Sequence, residues 1–137
     1  CFTAAFTPTP LTKAECEAQK SELGIKNCHY EQDYWAGAVK QCGGVGNMPT
    51  GSDLTKIAQA IYKGNPSINS SGYTYNLTYE SGTATSLGLP EPIFFVWSGE
   101  EYSKITAYYR YFNPTYTRYY YKASRLSSDT QALCLGD

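Results

Sequence analysis

The sequence has little charge and no long apolar stretch. Of its 137 residues, 17% are charged, and the formal net charge is -1. Proteins that bind nucleic acid are usually strongly basic, so we do not expect a nucleic-acid partner. The longest clear apolar run covers residues 93–97, far short of the ~20 residues that a membrane-spanning helix needs. No signal-peptide pattern occurs either, and we expect a soluble chain in a mature or truncated form.

Histidine is almost absent, and the cysteines lack the spacing of a zinc site. His29 is the only histidine, and no two of the five cysteines have Cys-x2-Cys spacing. The cysteines therefore favour disulfides over zinc and indicate an oxidising compartment. Their odd number leaves one thiol over, with Cys1 as the natural candidate to be free, bonded to another chain or the acceptor of a lipid. We expect no metal and no other cofactor.

Catalytic motifs are lacking as well. His29 follows Cys28, but an oxidised cysteine has no thiolate to act as a nucleophile, and we expect His29 at the surface. The glycine-rich residues 43–46 lack the Lys-Ser or Lys-Thr pair of a phosphate-binding loop, and they follow a predicted helix. We therefore expect no catalytic residue and no enzymatic activity.

The first half of the chain predicts three helices. Thr12 and Glu15 have the spacing of a capping box, and Gly24 is typical of a helix end. Apolar residues that recur every three or four positions predict the other two helices. The predicted ranges are 12–23, about 31–42, and from Ser52 or Asp53 to Gly64, the third with a stripe of Leu54, Ile57, Ala58 and Ile61.

The second half predicts strands. Residues 73–79 alternate between Tyr or Leu and Thr or Asn, which is typical of a half-buried strand. Further strands are predicted at residues 93–97, 102–112, 116–123 and 132–135, with Asn113-Pro114 as a turn and residues 65–72 and 80–92 as loops. Helices followed by strands predict an α+β fold, with two or three N-terminal helices packed on a small, mostly antiparallel sheet.

The most unusual segment is rich in tyrosine. Residues 102–128 contain eight of the fourteen tyrosines and five Lys or Arg, but no Asp or Glu. Tyr and Arg together are the residues from which antibody-like binding surfaces are built. Alternation places Ile105, Ala107, Tyr109 and Tyr111 on one face of a strand, and Tyr108, Arg110 and Phe112 on the other. Because aromatic residues occur on both faces, we expect about half of the rings to be exposed. The predicted ligand contacts are Tyr108, Arg110, Asn113, Tyr116, Arg118, Tyr120 and Lys122.

Four short motifs occur in an order that resembles a C-type-lectin-like domain. Residues 34–42 resemble its first helix, in which an aromatic residue, an Ala and a Cys share the buried face. Met48-Pro49-Thr50 with Asp53-Leu54 resembles the "Leu-Pro-Thr-x-x-Glu-Leu" start of the second helix in bacterial members. Residues 96–101 are similar to the "Tyr-Trp-Ser-Ser-x-Glu" strand, and residues 132–135 to the closing strand.

The resemblance implies a fold and a pairing of cysteines. It covers residues 30–137, so the predicted division is an N-terminal helical or connecting segment at 1–29 and a lectin-like ligand-binding domain at 30–137. It implies a Cys42–Cys134 disulfide, which leaves Cys16–Cys28 as a local bridge. Calcium is not expected, because Glu91-Pro92-Ile93 and Trp97-Ser98-Gly99 lack the Asn and Asp ligands of calcium-dependent lectins. Glu100 and Glu101 are expected to be structural acids that accept hydrogen bonds from loop amides.

Two groups within this family suggest a function. Pilin-like surface proteins of bacteria have such a domain behind an N-terminal membrane helix, and this chain resembles one without that helix. Variable proteins of diversity-generating retroelements place a hypervariable patch, often rich in Tyr, Ser and Thr, on the same fold.

We therefore expect an extracellular or cell-surface adhesin or receptor-type domain. It would recognise a protein or glycan through a Tyr- and Arg-rich patch, and it would contact a membrane only through an N-terminal anchor. The alternative is a structural subunit like a type IV pilin, with tyrosines packed against neighbouring subunits in an assembled pilus. The remaining hypothesis is an enzyme of the formylglycine-generating type. The predicted position of Cys42 on an apolar helix face favours a structural cysteine instead.

Overall fold

The computed structural model describes residues 2–63, 67–69 and 72–136, apart from the side chain of Tyr121, and its fold is α+β as predicted. The helices are Lys13–Leu23 (α1), Tyr34–Cys42 (α2), Gly51–Ile61 (α3) and Ser81–Ser86 (α4), and a short 3-10 helix spans Val45–Asn47. The strands are Tyr62–Lys63 (β1), Gly72–Thr74 (β2), Thr78–Tyr79 (β3), Phe94–Glu101 (β4), Thr106–Phe112 (β5), Thr117–Ser124 (β6) and Thr130–Gln131 (β7).

Side-chain caps set the starts of the three long helices. The predicted capping box of Thr12 and Glu15 is present at α1. A second capping box, formed by Thr50 and Asp53, starts α3 slightly earlier than predicted, and the predicted end at Gly64 lies outside the described residues. The second helix begins three residues later than predicted, because the backbone of Asp33 is extended and its carboxylate accepts a hydrogen bond from the Ala36 amide.

The main sheet has five strands in the order β2-β6-β5-β4-β7. All neighbouring strands are antiparallel except β4 and β7, which are parallel. The predicted closing strand at 132–135 is displaced: β7 ends at Gln131, and Ala132 and Leu135 form single bridges with Phe6 and Phe2. The N-terminal and C-terminal segments therefore run side by side.

The predicted strand at 73–79 is broken in the structure. Asn76 has a φ of 62°, a left-handed conformation that interrupts strand pairing. As a result, β2 joins the main sheet, whereas β3 pairs with β1 in a separate two-stranded sheet. The predicted loop at 80–92 also differs, since it contains α4.

Two apolar clusters form the core. The α3 cluster packs α3 against one side of the main sheet, and it includes Leu54, Ala58, Ile61, Phe94, Val96 and Phe112. The α2 cluster packs the first two helices near the other end of β4 and β5, and it includes Cys16, Ile25, Trp35, Val39, Trp97 and Ala107. Residues on both sides of the predicted boundary at 29/30 thus share the α2 cluster.

Two disulfides tie the chain together. Cys16 bonds to Cys28 and Cys42 bonds to Cys134, with Cα–Cα distances of 5.9 and 5.2 Å. These are the pairs that the family resemblance implies. Two disulfides in a chain of this size indicate an oxidising, extracellular environment. Within the described ranges, no helix is both long enough and apolar enough to cross a membrane.

Candidate ligand-binding surface

The register of the central strands separates the Tyr-rich segment into two sets of side chains. Tyr109 pairs with Tyr120, and Tyr111 pairs with Arg118. Since paired residues point to the same side of a sheet, these four side chains lie together. Phe95 of β4, which pairs with Tyr111 of the central strand β5, extends this set toward the β7 edge of the sheet.

These side chains are part of a continuous aromatic surface on the side of the sheet away from α3. Neighbouring ring centroids are 4.8 to 6.2 Å apart, the range of favourable aromatic pairs. Rings from β2, β4, β5, β6 and the adjoining turns are connected in this way. The aromatic surface consists of Tyr73, Tyr75, Phe95, Tyr109, Tyr111, Tyr116, Arg118 and Tyr120.

The most exposed part of the aromatic surface was not predicted from the sequence. Tyr75 is 57% exposed and Tyr73 is 39% exposed, although the alternating pattern placed both on a half-buried strand with Leu77 and Tyr79. The latter two are indeed buried. The left-handed turn at Asn76 separates the pairs, and Tyr73 and Tyr75 contact Tyr116 instead.

Arg118 is stacked between two rings of the aromatic surface. Its guanidinium carbon lies 3.4 Å from the ring centroid of Tyr120 and 4.5 Å from that of Tyr73. Its Nη1 donates a hydrogen bond of 2.7 Å to the Tyr73 hydroxyl. Stacking of this kind is worth ~0.5–1 kcal/mol at exposed sites and more where water is excluded. The contacts hold the half-buried guanidinium in a defined orientation.

Four of the seven predicted contacts lie on the aromatic surface or at its edge. Tyr116, Arg118 and Tyr120 belong to it. Asn113 lies at its edge, where its amide nitrogen donates to the Tyr111 hydroxyl at 3.2 Å and its side-chain oxygen accepts from the Thr115 amide. Lys122 is exposed further along β6.

Arg110 is not a surface contact, and that prediction is wrong. Its side chain is completely buried, because it shares the side of β5 that packs on α3. It donates hydrogen bonds of 3.0 to 3.2 Å to the hydroxyls of Thr55 and Thr117 and to the carbonyl of Asn69. Burial lowers the pKa of the guanidinium to about 10. Its Nε has no hydrogen-bond partner among the described residues.

Tyr108 also lies apart from the other predicted contacts. Its half-buried ring stacks on Tyr119 at a centroid distance of 5.4 Å, and Tyr119 is on the α3 side of the sheet. The Tyr119 hydroxyl donates to Ser98 Oγ or Glu100 Oε1, each at 3.1 Å. Burial raises the pKa of the Tyr119 hydroxyl above its ordinary range. Tyr119 therefore has a structural role, and Tyr108 packs against it.

Glu100 and Glu101 have the structural role expected of them. Glu101 accepts hydrogen bonds from the amides of Lys26 and Asn27 at 2.7 and 3.0 Å and from Arg125 at 2.8 Å. Glu100 accepts from the amide of Gly51, the first residue of α3, at 2.9 Å. Both carboxylates fasten a helix or loop to β4.

Glu101 belongs to a buried ion-pair network that was not predicted from the sequence. Arg125 is fully buried, pairs with Asp33 at 3.2 Å as well as with Glu101, and lies 4.6 Å from the ring of Trp35. His29 is buried nearby, contrary to the expected surface position, since its Nδ1 accepts from the Glu31 amide and its own amide donates to Asp33. Short polar contacts of this kind leave no periodic sequence pattern.

Two cavities adjoin the sheet and the helices. A small one of about 180 Å³ lies beside the aromatic surface, with walls formed by Phe95, Tyr109, Ala123, Ser124, Ser127 and Thr130. A larger one of about 530 Å³ lies between the N-terminal segment, α3 and the residues that follow α4. The smaller cavity is continuous with the aromatic surface through Phe95 and Tyr109.

Neither metal chemistry nor a known relative identifies the site. Within residues 2–63, 67–69 and 72–136, no group of three or more His, Cys, Asp or Glu side chains is placed to hold a metal ion. Comparisons with protein-family models, with curated proteins and with solved structures find no match. The function is therefore inferred from the geometry of the aromatic surface and from the sequence resemblance.

Proposed function

We propose that the protein is an extracellular, surface-displayed binding domain with a C-type-lectin-like fold, and that it recognises its ligand through the aromatic surface. The observation that carries this proposal is the connected set of seven rings with Arg118 stacked among them. The Cys42–Cys134 link between α2 and the segment after β7 supports the lectin-like fold, because the sequence resemblance implies that pair.

The physical argument for binding rests on exposure and rigidity. Tyr73 and Tyr75 expose 39% and 57% of their surface, and the other members of the aromatic surface are half-buried. Contiguous exposed aromatic patches are characteristic of interaction sites. Tyr side chains contribute a large contact area for the loss of few torsions, and ring contacts within the surface reduce that loss further. A ligand would therefore meet a preformed surface.

The proposal also concerns which positions vary between relatives. If the Tyr-rich region is a diversified patch, substitutions in close relatives should concentrate at Tyr116, Arg118 and Tyr120. They should spare the buried Arg110 and Arg125. Sequencing the gene in related strains tests this: uniform drift, or substitutions at the buried arginines, would count against a diversified patch.

The binding role is tested with arrays of proteins and glycans. We expect the double variant Tyr116→Ala, Tyr120→Ala to lose the partners that the unaltered protein binds, because it removes two rings from the aromatic surface. The control is Tyr108→Ala, which removes one tyrosine ring on the opposite side of the sheet and should retain binding. Circular dichroism checks that both variants are folded.

Other outcomes of the same experiment are informative. Partners that survive the double change would refute the assignment of the site. Self-association that is concentration-dependent and lost in the double variant would instead favour the pilin-like subunit, in which the aromatic surface contacts a second copy of the chain. Sedimentation of the unaltered protein and the double variant distinguishes these cases.

A further inference from the structure

We propose that Arg118 anchors a carboxylate of an acidic peptide segment from a partner protein, and that the surrounding rings hold the apolar residues of that segment. This inference rests on the proposed binding role of the aromatic surface and specifies its ligand.

The orientation of Arg118 leaves the edge of its guanidinium for a ligand. Tyr73 and Tyr120 occupy positions over the guanidinium, and one N–H of Nη1 is directed to the Tyr73 hydroxyl. A guanidinium has five N–H donors in one plane. The ion pairs of the described residues link Lys20 to Glu17, and Arg125 to Asp33 and Glu101, so none of them includes Arg118. A cation held in this way matches the two oxygens of a carboxylate.

The burial and the bonding partners of Arg118 can be compared with those of the other two arginines of the sheet region. Arg125 has two carboxylate partners and is fully buried. Arg110 donates to two hydroxyls and a carbonyl inside the protein. Arg118 alone among these three combines a half-buried position with a single hydrogen bond to the described part of the chain. Its charge is therefore directed toward a partner rather than toward the core.

The single cation and the rings of the aromatic surface favour an acidic peptide. Among the described residues of this surface and its edge there is no Asp, Glu or Gln, and the amide of Asn113 is bonded to Tyr111 and Thr115. A carboxylate bound by Arg118 would therefore meet no competing acid on this surface. Aromatic-lined surfaces also accept the proline and aliphatic side chains of extended peptides.

The small cavity next to Phe95 and Tyr109 supports the same ligand. Its volume is about 180 Å³, enough for one short side chain. Ser127 and Thr130 bond to each other at 2.9 Å, and Ser124 accepts from the Leu126 amide. The cavity also offers the rings of Phe95 and Tyr109 and the methyl group of Ala123 as apolar contacts, while Arg118 supplies the charge.

The test uses a peptide array in which each acidic member has a matched member with Asp and Glu replaced by Asn and Gln. We expect binding of acidic members that is at least ~10-fold stronger than binding of their matched members, as expected for a hydrogen-bonded charge, and that weakens with salt. The variant Arg118→Gln should remove this preference, and Arg118→Lys, which retains charge but not the fork, should restore it only in part. Lys104→Gln removes an exposed charge outside the surface and is the control that should change nothing.

A spectroscopic readout separates a direct contact from a structural role. With ¹⁵N-labelled protein and the strongest acidic peptide of the array, the Arg118 Nε–H signal should shift on titration, whereas the buried Arg110 and Arg125 signals should move little. A peptide that binds without shifting the Arg118 signal would overturn the inference.

The failure of this inference is distinguishable from failure of the proposed function. Equal binding of acidic and matched neutral peptides, lost in the Tyr116→Ala, Tyr120→Ala variant, would overturn the role of Arg118 and leave the aromatic surface as a binding site. Binding of glycans without any peptide would overturn the peptide ligand alone. Absence of binding to peptides, proteins and glycans would refute both.

Discussion

Arg110 and Arg118 lie on neighbouring strands, one register position apart, with their side chains on opposite sides of the sheet. On the α3 side, Arg110 is completely buried and donates three hydrogen bonds within the protein. On the aromatic side, Arg118 is half-buried and is held by stacking and a single hydrogen bond. The same residue type therefore has a structural role on one side and an outward orientation on the other.

The comparison shows that the covering helix, rather than composition, divides the Tyr-rich segment. Both sides of β5 and β6 carry Tyr and Arg. Where α3 packs, polar side chains such as those of Arg110 and Tyr119 form hydrogen bonds to other groups within the protein. On the side away from α3, from Phe95 to Tyr75, the rings contact each other and are half-buried or exposed, although Tyr109 also packs against the α2 cluster.

The largest expected difference concerns a buried arginine with carboxylate partners. Arg125→Met leaves Asp33 and Glu101 without their cation, and removal of one member of a buried ion pair costs about 3–5 kcal/mol. Arg118→Met, the same change on the aromatic surface, should cost about 1 kcal/mol or less. Urea unfolding at pH 7 measures both. Equal losses would show that the two arginines do not differ as described.

Alkaline pH should act mainly through tyrosines of the α3 side. Burial raises the pKa of Tyr62 and Tyr119 above their ordinary value, and that of Tyr79 to about 12. A raised pKa means that the stabilising effect of the neutral hydroxyl is complete below pH 10 and is lost as the pH rises through the value in the folded protein. We therefore expect stability to fall between about pH 10 and 12.

The measurement is unfolding monitored by circular dichroism together with tyrosinate absorbance, at short exposure to alkali. Tyr119→Phe has no hydroxyl to ionise at that position. Its free energy of unfolding, expressed relative to the value at pH 7, should therefore begin to fall at a higher pH. If the variant loses stability over the same pH interval and to the same extent as the unaltered protein, Tyr119 does not contribute to the alkaline transition.

A small effect, like that of Arg118→Met, is also expected for Arg110. Arg110→Met removes a buried charge that has no carboxylate partner among the described residues, so the hydrogen bonds lost are offset by relief of desolvation. Thr55 and Thr117 also retain other partners, the carbonyls of Gly51 and Tyr111. We expect a change of about 1 kcal/mol or less in urea unfolding. A loss as large as that of Arg125→Met would mean that the guanidinium is essential to the core.

The parts of the fold set by local signals were predictable from the sequence. The capping box at Thr12, the end of α1 at Gly24 and the apolar stripe of α3 depend on residues a few positions apart. The α+β class followed from the change of period along the chain. The start of α2 at Tyr34 was predicted three residues early, because the cap at Asp33 is an extended residue inside an apparently helical pattern.

The candidate site was predictable only in part. Tyr116, Arg118 and Tyr120 were predicted as contacts and lie on the aromatic surface. The prediction of Arg110 as a ligand contact was wrong. Alternation assigns residues to two faces of a strand, but it does not show which face a distant helix covers. Tyr73 and Tyr75 were missed, since a single left-handed residue at Asn76 reverses the burial expected from the alternating pattern.

Glu100 and Glu101 have a consequence for how the molecule unfolds. These consecutive residues of β4 attach different parts of the chain: Glu100 binds the first amide of α3, and Glu101 binds the amides that follow α1 together with Arg125. One strand thus couples the α3 cluster to the α2 cluster. The two clusters should lose their structure in a single cooperative transition, with equal calorimetric and van't Hoff enthalpies, instead of melting one after the other.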